Sequence, residues 1–175
     1  TGAYSYAKNA AAIEALDVTE VEQDSFTMTV SDGDNDPVTR PYTVTVSGAD
    51  DAPTLAEVTP ATIAEVDQSA DTTDAGLSGT LMGNDVDVET LTYGIQDGIP
   101  GIEPETVIKI GTYGTLTVNT STGAYSYTKD DAKIEALNVT EGGPDSFTMT
   151  VSDGDGDLVT QNYTVLVSGA NDKPA

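Results

Sequence analysis

The chain has no cysteine, histidine or tryptophan among its 175 residues, and only 6 lysines and arginines stand against 30 aspartates and glutamates. Without cysteine no disulfide can staple the fold, so a modest core needs other reinforcement, for which bound metal is the obvious candidate. Without histidine or cysteine the usual nucleophile–base pairs and zinc-ligand spacings cannot be assembled, and no glycine-rich phosphate loop appears. Glycoside hydrolysis by two carboxylates is a weak option, because so many acidic residues place some pairs at catalytic distance by chance while aromatic sugar-gripping residues are scarce. No enzyme is expected. The formal charge of −24 repels phosphate backbones and anionic membranes, concentrates divalent cations and aids solubility, so nucleic acid is excluded as a partner. No apolar run approaches the ~18 residues of a membrane helix, and neither end reads as a signal peptide, so the expectation is a soluble internal piece of a longer chain, without membrane insertion.

What is present is repetition. Residues 1–53 and 122–174 align without a gap at an offset of 121, with 38 of 53 positions identical, including TGAYSY, DSFTMTVSDGD and VSGA. The expected organisation is the C-terminal part of one repeat at residues 1–53 followed by a complete repeat at 54–175. A spacer gains reach with each added copy whereas a catalytic domain rarely needs a near-duplicate, so repetition favours a structural or adhesive role.

The local patterns read as strands. Phe26, Met28 and Val30 alternate with Ser25, Thr27 and Thr29, and Tyr42, Val44 and Val46 share a face in the following run; the second copy repeats this with Phe147, Met149 and Val151, then Tyr163, Val165 and Val167. The Gly- and Asp-rich turn between these runs makes each pair a hairpin. GTLTV at 114–118 and AYSYT at 124–128 form a second hairpin, and LTYGI at 91–95, residues 77–82 and TIAEV at 62–66 supply three more strands. Seven strands per module with no sustained helical period predict an all-β, antiparallel Ig-like β-sandwich. One helical turn is expected at AKIEAL, 132–137, and at its counterpart Ala12–Leu16. Tyr125 and Tyr127 share a strand face and are read as half-buried core, with a carbohydrate platform as the alternative. Asp153, Asp155 and Asp157 are spaced like the start of an EF-hand loop, but Thr164 stands at the twelfth position where a bidentate Glu is needed, so the segment is read as a hairpin turn.

GTYGTLTVNTSTGAYSYT, DSFTMTVSDGDGD and VSGANDKP resemble the VCBS and cadherin-like tandem repeats of very large bacterial surface adhesins, including RTX-type proteins exported by type I secretion and biofilm-associated proteins. The resemblance covers the full module from Thr54 and the partial one before it. It implies an extracellular array of cadherin-like sandwiches, stiffened by calcium and acting in cell adhesion or biofilm formation. It further implies calcium at module junctions, where six to eight hard oxygens from several segments converge. By likeness to cadherin motifs the ligands of one junction would be Asp17 and Glu20 in LDVTE, Asp50 and Asp51 in GADDAP, Asp85 and Asp87 in NDVDVE, and Asp153 in SDGDGD. Glu65 in IAEVD, Glu141, Asn171 and Asp172 would serve the following junction. LNVTE carries Asn138 where the earlier copy has Asp17, which leaves the number of ions per junction open. The implied partners are neighbouring repeats of the same chain, and the alternative function is a lectin-like module for exopolysaccharide or host glycan.

Overall fold

A computed structural model describes residues 2–34, 36–87 and 89–171. The chain divides into two compact units: Thr1–Asp51 with Val86–Val88, and Ala52–Asp85 with Glu89–Ala175.

The first unit holds a short helix, α1 (Ala10–Glu14), and a hairpin of β1 (Val21–Val30) and β2 (Val38–Ser47). The hairpin is antiparallel with Phe26 opposite Tyr42, so the alternation read from the sequence sets which side chains share a face. Asn9 caps α1 by accepting from the Ala12 N–H at 3.4 Å.

The second unit begins with β3 (Thr54–Leu55), β4 (Ala61–Glu65), β5 (Thr72–Ala75), β6 (Ser78–Thr80) and β7 (Gly83–Asn84). It continues through β8 (Thr92–Ile95), β9 (Ile99–Pro100), β10 (Thr106–Ile110), β11 (Gly114–Asn119) and β12 (Ala124–Lys129). A second short helix, α2 (Asp131–Ile134), precedes the long hairpin of β13 (Gly142–Ser152) and β14 (Leu158–Ser168). Two five-stranded sheets result, ordered β6-β12-β11-β10-β9 and β5-β4-β14-β13-β8, with a small β3-β7 pair beside them. All pairings are antiparallel except β4 against β14, which run parallel. The sequence pattern anticipates seven strands here and the described residues form twelve. Four of the added strands, β3, β5, β7 and β9, span only two to four residues. The fifth, β10, escapes a period-two reading because Val107, Ile108 and Lys109 are all half-buried rather than alternating.

The core lies between the two sheets. Met149, Val151, Tyr163 and Val165 from the long hairpin are fully buried against Ile63, Leu116 and Val118, an arrangement worth roughly 1.5–3 kcal/mol for each large apolar side chain removed from water. Tyr127 joins this core, Tyr125 packs edge-on to Tyr163 at 5.2 Å between ring centres, and Ile134 of α2 is buried too. The helix starts one residue earlier than its apolar pattern suggests because Asp130 accepts from the Lys133 N–H at 3.3 Å, a capping bond that fixes the first turn. Loop 153–157 closes the β13-β14 hairpin, with Gly154 and Gly156 at φ 112° and 125°; these are backbone positions glycine adopts without steric cost.

Asp145 on β13 is a buried polar anchor in this packing. Its carboxylate accepts from the N–H groups of Thr112 (2.7 Å) and Tyr113 (2.8 Å) and from the Tyr127 hydroxyl (2.5 Å). Burial, reinforced by the bond to Asp145, pushes the Tyr127 hydroxyl far above its usual titration range. A Cβ at Gly111 would lie 2.4 Å from Asp145 Oδ2, so the 111–113 loop wraps this carboxylate at a distance only glycine permits.

At the sandwich edge Lys129 of β12 bridges to Asp74 of β5 at 2.8 Å and also bonds the Thr72 hydroxyl, linking one sheet to the other. Partial burial raises the Asp74 carboxyl, but the hydrogen bonds from Lys129 and Thr72 outweigh it and hold the carboxyl below its ordinary range. A depressed folded-state value contributes stability above the unfolded value and loses it as pH falls through the folded one. The Lys129→Met chain is expected to lose about 0.5–1 kcal/mol at neutral pH. Below the usual carboxylate range that difference should vanish; a deficit persisting in acid would mean the Lys129 stem, not its charge, matters.

Candidate metal-binding carboxylates

Strand pairing in the second unit gathers acidic residues at two ends. Ser152 of β13 stands opposite Thr92 of β8, so the residues just past β13 and just before β8 emerge together. There one carboxylate oxygen of Glu89 lies within 4.8 Å of one from Asp153, and Glu89 is equally near Asp155. The turn draws the two aspartates together, since the Asp155 N–H donates to Asp153 Oδ1 at 3.0 Å. Asp153 is only 7% exposed, and its Oδ2 has no hydrogen-bond partner among the described residues. A buried carboxylate oxygen in that condition carries a desolvation cost that a cation would relieve. Asp85 follows β7 in the same unit.

The other end lies roughly 40 Å away along β13, at about 3.3 Å per residue. Here the parallel strands β4 and β14 finish side by side, with Ser168 opposite Ala64. Their next residues meet, and the Ala170 N–H donates to Glu65 Oε2 at 2.7 Å. Glu65 is 8% exposed, and Oε1 is buried with no hydrogen-bond partner among the described residues. The Asn171 N–H donates to Asp67 at 3.2 Å, and the Asn171 carbonyl accepts from Gln68 at 2.9 Å. Glu141 enters from the start of β13, its backbone carbonyl accepting from Gly169 at 3.1 Å. Its side chain accepts from the Asn138 backbone N–H (2.9 Å) and side-chain amide (2.8 Å), which lower the Glu141 carboxyl. Asp172, the remaining member of this predicted set, lies outside the described residues.

In the first unit the LDVTE loop repeats the turn of LNVTE. The Asp17 N–H donates to Glu20 at 3.3 Å, and the Glu20 carbonyl accepts from Gly48 at 3.1 Å. The difference is chemical: Asn138 spends an amide donor on Glu141, whereas Asp17 has none and accepts instead from the Thr19 hydroxyl at 2.9 Å. The first copy therefore presents two carboxylates and the second one carboxylate and an amide. Asp87 is also buried in this unit and accepts from the Asp51 N–H at 2.9 Å, while Asp50 beside it is exposed.

Thus the structure brings Glu65, Glu141 and Asn171 to one end of the second unit and places Asp153 at the other. It adds Glu89 and Asp67, which sequence reading passed over, and Asp155, which was read as part of a hairpin turn. For Glu89 a signal existed, because Asp85, Asp87 and Glu89 alternate in NDVDVE. Among the described residues, the ion pairs engage Lys109, Lys129 and Lys133 with Asp97, Asp74, Asp131 and Asp130, so these cations are spent elsewhere.

Two sheets with a parallel contact joining first and last long strands form a cadherin-like, Ig-type sandwich. Residues 50–169 match the family described as the bacterial cadherin-like domain, and the chain belongs to that family. Among solved structures the chain is similar to protocadherin gammaB7 EC3-6, solved as a cis-dimer (19% identity, TM-score 0.46, 86% of this chain and 34% of that one). It is also similar to protocadherin gamma B2 extracellular domains 1–5 (15%, 0.47, 94% and 28%) and to the human desmocollin-1 ectodomain (16%, 0.37, 85% and 28%). The chain spans about a third or less of the length of these solved chains. A comparison with curated proteins finds no significant match. Family membership makes this an adhesion-type extracellular module, and cadherin-like domains typically bind calcium. No helix of the described residues is long and apolar enough to cross a membrane.

Proposed function

We propose that the chain is a calcium-stiffened structural repeat of a large secreted bacterial adhesin of the VCBS or RTX type, acting in cell adhesion or biofilm formation. The observation that carries this reading is a pair of buried carboxylate oxygens, Asp153 Oδ2 and Glu65 Oε1, without hydrogen-bond partners among the described residues. They stand at opposite ends of one rigid sandwich, each among further acidic groups. Clustered hard oxygens suit calcium, which takes six to eight such ligands in flexible geometry. In this reading Glu89, Asp153 and Asp155, with Asp85 as a sequence-derived candidate, supply carboxylates at one end of the module, and Asp17, Glu20, Asp50, Asp51 and Asp87 are the sequence-derived candidates within the first unit. Glu65, Glu141, Asn171 and Asp172 are the candidates at the other end, where the Glu65 orphan oxygen is the anchor. Bound calcium neutralises mutual repulsion and fixes the segments that carry the ligands.

The test is thermal melting in calcium, in magnesium and in chelator. Extracellular modules bind calcium at about 0.1–1 mM, so 10 mM calcium is expected to add at least about 1.4 kcal/mol per occupied site, or a few degrees. Equal shifts in magnesium would reduce the acidity to charge screening and sink the proposal. The lectin-like alternative would act through an exposed loop or the tyrosine pairs; Tyr127 packs in the core, which speaks against the Tyr125–Tyr127 pair as its platform.

A further inference from the structure

The two copies close one end with the same backbone turn and different chemistry. In the first copy the Glu20 N–H donates to the Asp17 carbonyl at 2.9 Å, and Gly48, just past β2, donates to the Glu20 carbonyl at 3.1 Å. In the second the Glu141 N–H donates to the Asn138 carbonyl at 2.8 Å, and Gly169, just past β14, donates to the Glu141 carbonyl at 3.1 Å. With the backbone matched, the side chains decide how each loop is held.

In the second copy Glu141 Oε2 receives two donors from one residue, the Asn138 backbone N–H at 2.9 Å and its side-chain amide at 2.8 Å. In the first the backbone bond from Asp17 to Glu20 Oε2 is longer, at 3.3 Å, and the Asp17 carboxylate brings no donor of its own. Two like charges on so tight a turn repel, and either a cation between them or a donor amide in place of one relieves that. The exchange extends along the end. Asp17, Glu20, Glu22, Asp50 and Asp51 have as counterparts Asn138, Glu141, Gly143, Asn171 and Asp172, and Lys173 replaces Ala52. Three acidic residues thus become neutral here. The second copy is not poorer in acid throughout, since Asn9 and Ala10 at the helix become Asp130 and Asp131.

We infer that the Asn138 amide is a built-in substitute for a cation, so that the second copy's end is ordered without calcium and holds an ion less tightly, while the first copy's end needs one. This rests on the function proposed above and adds a grading to it. Glu65 Oε1 is still the anchor at the second end, but Glu141 has an oxygen committed to Asn138, and calcium affinity follows the number of charged ligands. An array containing both kinds of end releases its ions in sequence as calcium falls. The ends of the Asn138 kind empty first, and their loops keep their shape.

Hydrogen exchange of backbone amides, read by NMR on the full chain in about 10 mM calcium and in chelator, tests this. The Glu141 and Gly169 amides report the second end. In the parent their exchange is expected to differ by less than about threefold between the two conditions. In Asn138→Asp the same amides are expected to exchange at least about tenfold faster than the parent's in chelator, and to recover in calcium. Calorimetry should show calcium bound at least about tenfold more tightly at that end of the variant. Parent amides that speed up about tenfold on chelation would overturn the inference, as would variant amides that stay as slow as the parent's in chelator, or an unchanged isotherm. Loosening in chelator with no rescue by calcium would overturn it from the other side, by removing the calcium function itself, so the two failures are told apart.

Discussion

Asp145→Ala is expected to lower stability by about 4 kcal/mol and the melting temperature by roughly 10 °C or more. The substitution strands three donors, the N–H groups of Thr112 and Tyr113 and the hydroxyl of Tyr127. Each buried donor left without an acceptor costs about 1–3 kcal/mol. The repeat supplies an internal control. Asp24 occupies the same place in the first copy, but it is exposed and, among the described residues, its carboxylate accepts from the Tyr6 hydroxyl. Asp24→Ala should therefore cost under about 1 kcal/mol. Similar losses for both would show that the identical sequence context, not the wrapping by the 111–113 loop, sets the energy. Gly111→Ala offers a second check, since its Cβ would be forced against Asp145; it should reproduce much of the Asp145 loss without touching the carboxylate.

Asp153→Asn should change sign with calcium. In chelator the variant is expected to be about 0.5–1 kcal/mol more stable than the parent, because the amide removes repulsion with Glu89 and offers that carboxylate a donor. The oxygen that accepts from Asp155 is retained. In millimolar calcium the order reverses, because calcium loses a charged ligand, and its affinity should fall about tenfold or more. Isothermal titration paired with chelator melts reads both halves. A variant destabilised equally in both conditions would make Asp153 a structural acceptor for the 153–157 turn and nothing else. Asp155→Ala divides the roles further: retained stoichiometry fits a turn residue, and a lost ion makes Asp155 a ligand.

The legible parts of this fold are those written in period two. Phe147, Met149 and Val151 alternate with threonine and serine, and all three proved buried; the same holds for Tyr163, Val165 and Val167. Good helix formers with Ile and Leu three apart placed both helical turns, which start one or two residues earlier than expected because Asn9 and Asp130 cap them. β10 was missed because both its faces are half-covered, which erases alternation. Two-residue strands such as β3, β7 and β9 exist only because a neighbour supplies the pairing, so they carry no local signal. The candidate site divides the same way. Glu65, Glu141 and Asn171 were named from family motifs, and backbone bonds at residues 169–171 gather them at one end of the sandwich. Glu89 was lost among 30 acidic residues; what distinguishes it is its proximity to Asp153 across the β8-β13 pairing, a relation between residues 64 positions apart.

The parallel contact of β4 and β14 has a mechanical meaning. These are the first and last strands of their sheet, and Val165 to Ser168 run alongside Ala61 to Ala64 in the same direction. A pull that draws the two ends of the module apart drags one strand lengthwise past the other. Their hydrogen bonds are then loaded together in shear instead of being peeled open one at a time from an end. A hairpin such as β13-β14, pulled at its open end, would unzip under far smaller force. The module is thus wired to resist tension along the axis on which a chain of such repeats would carry it.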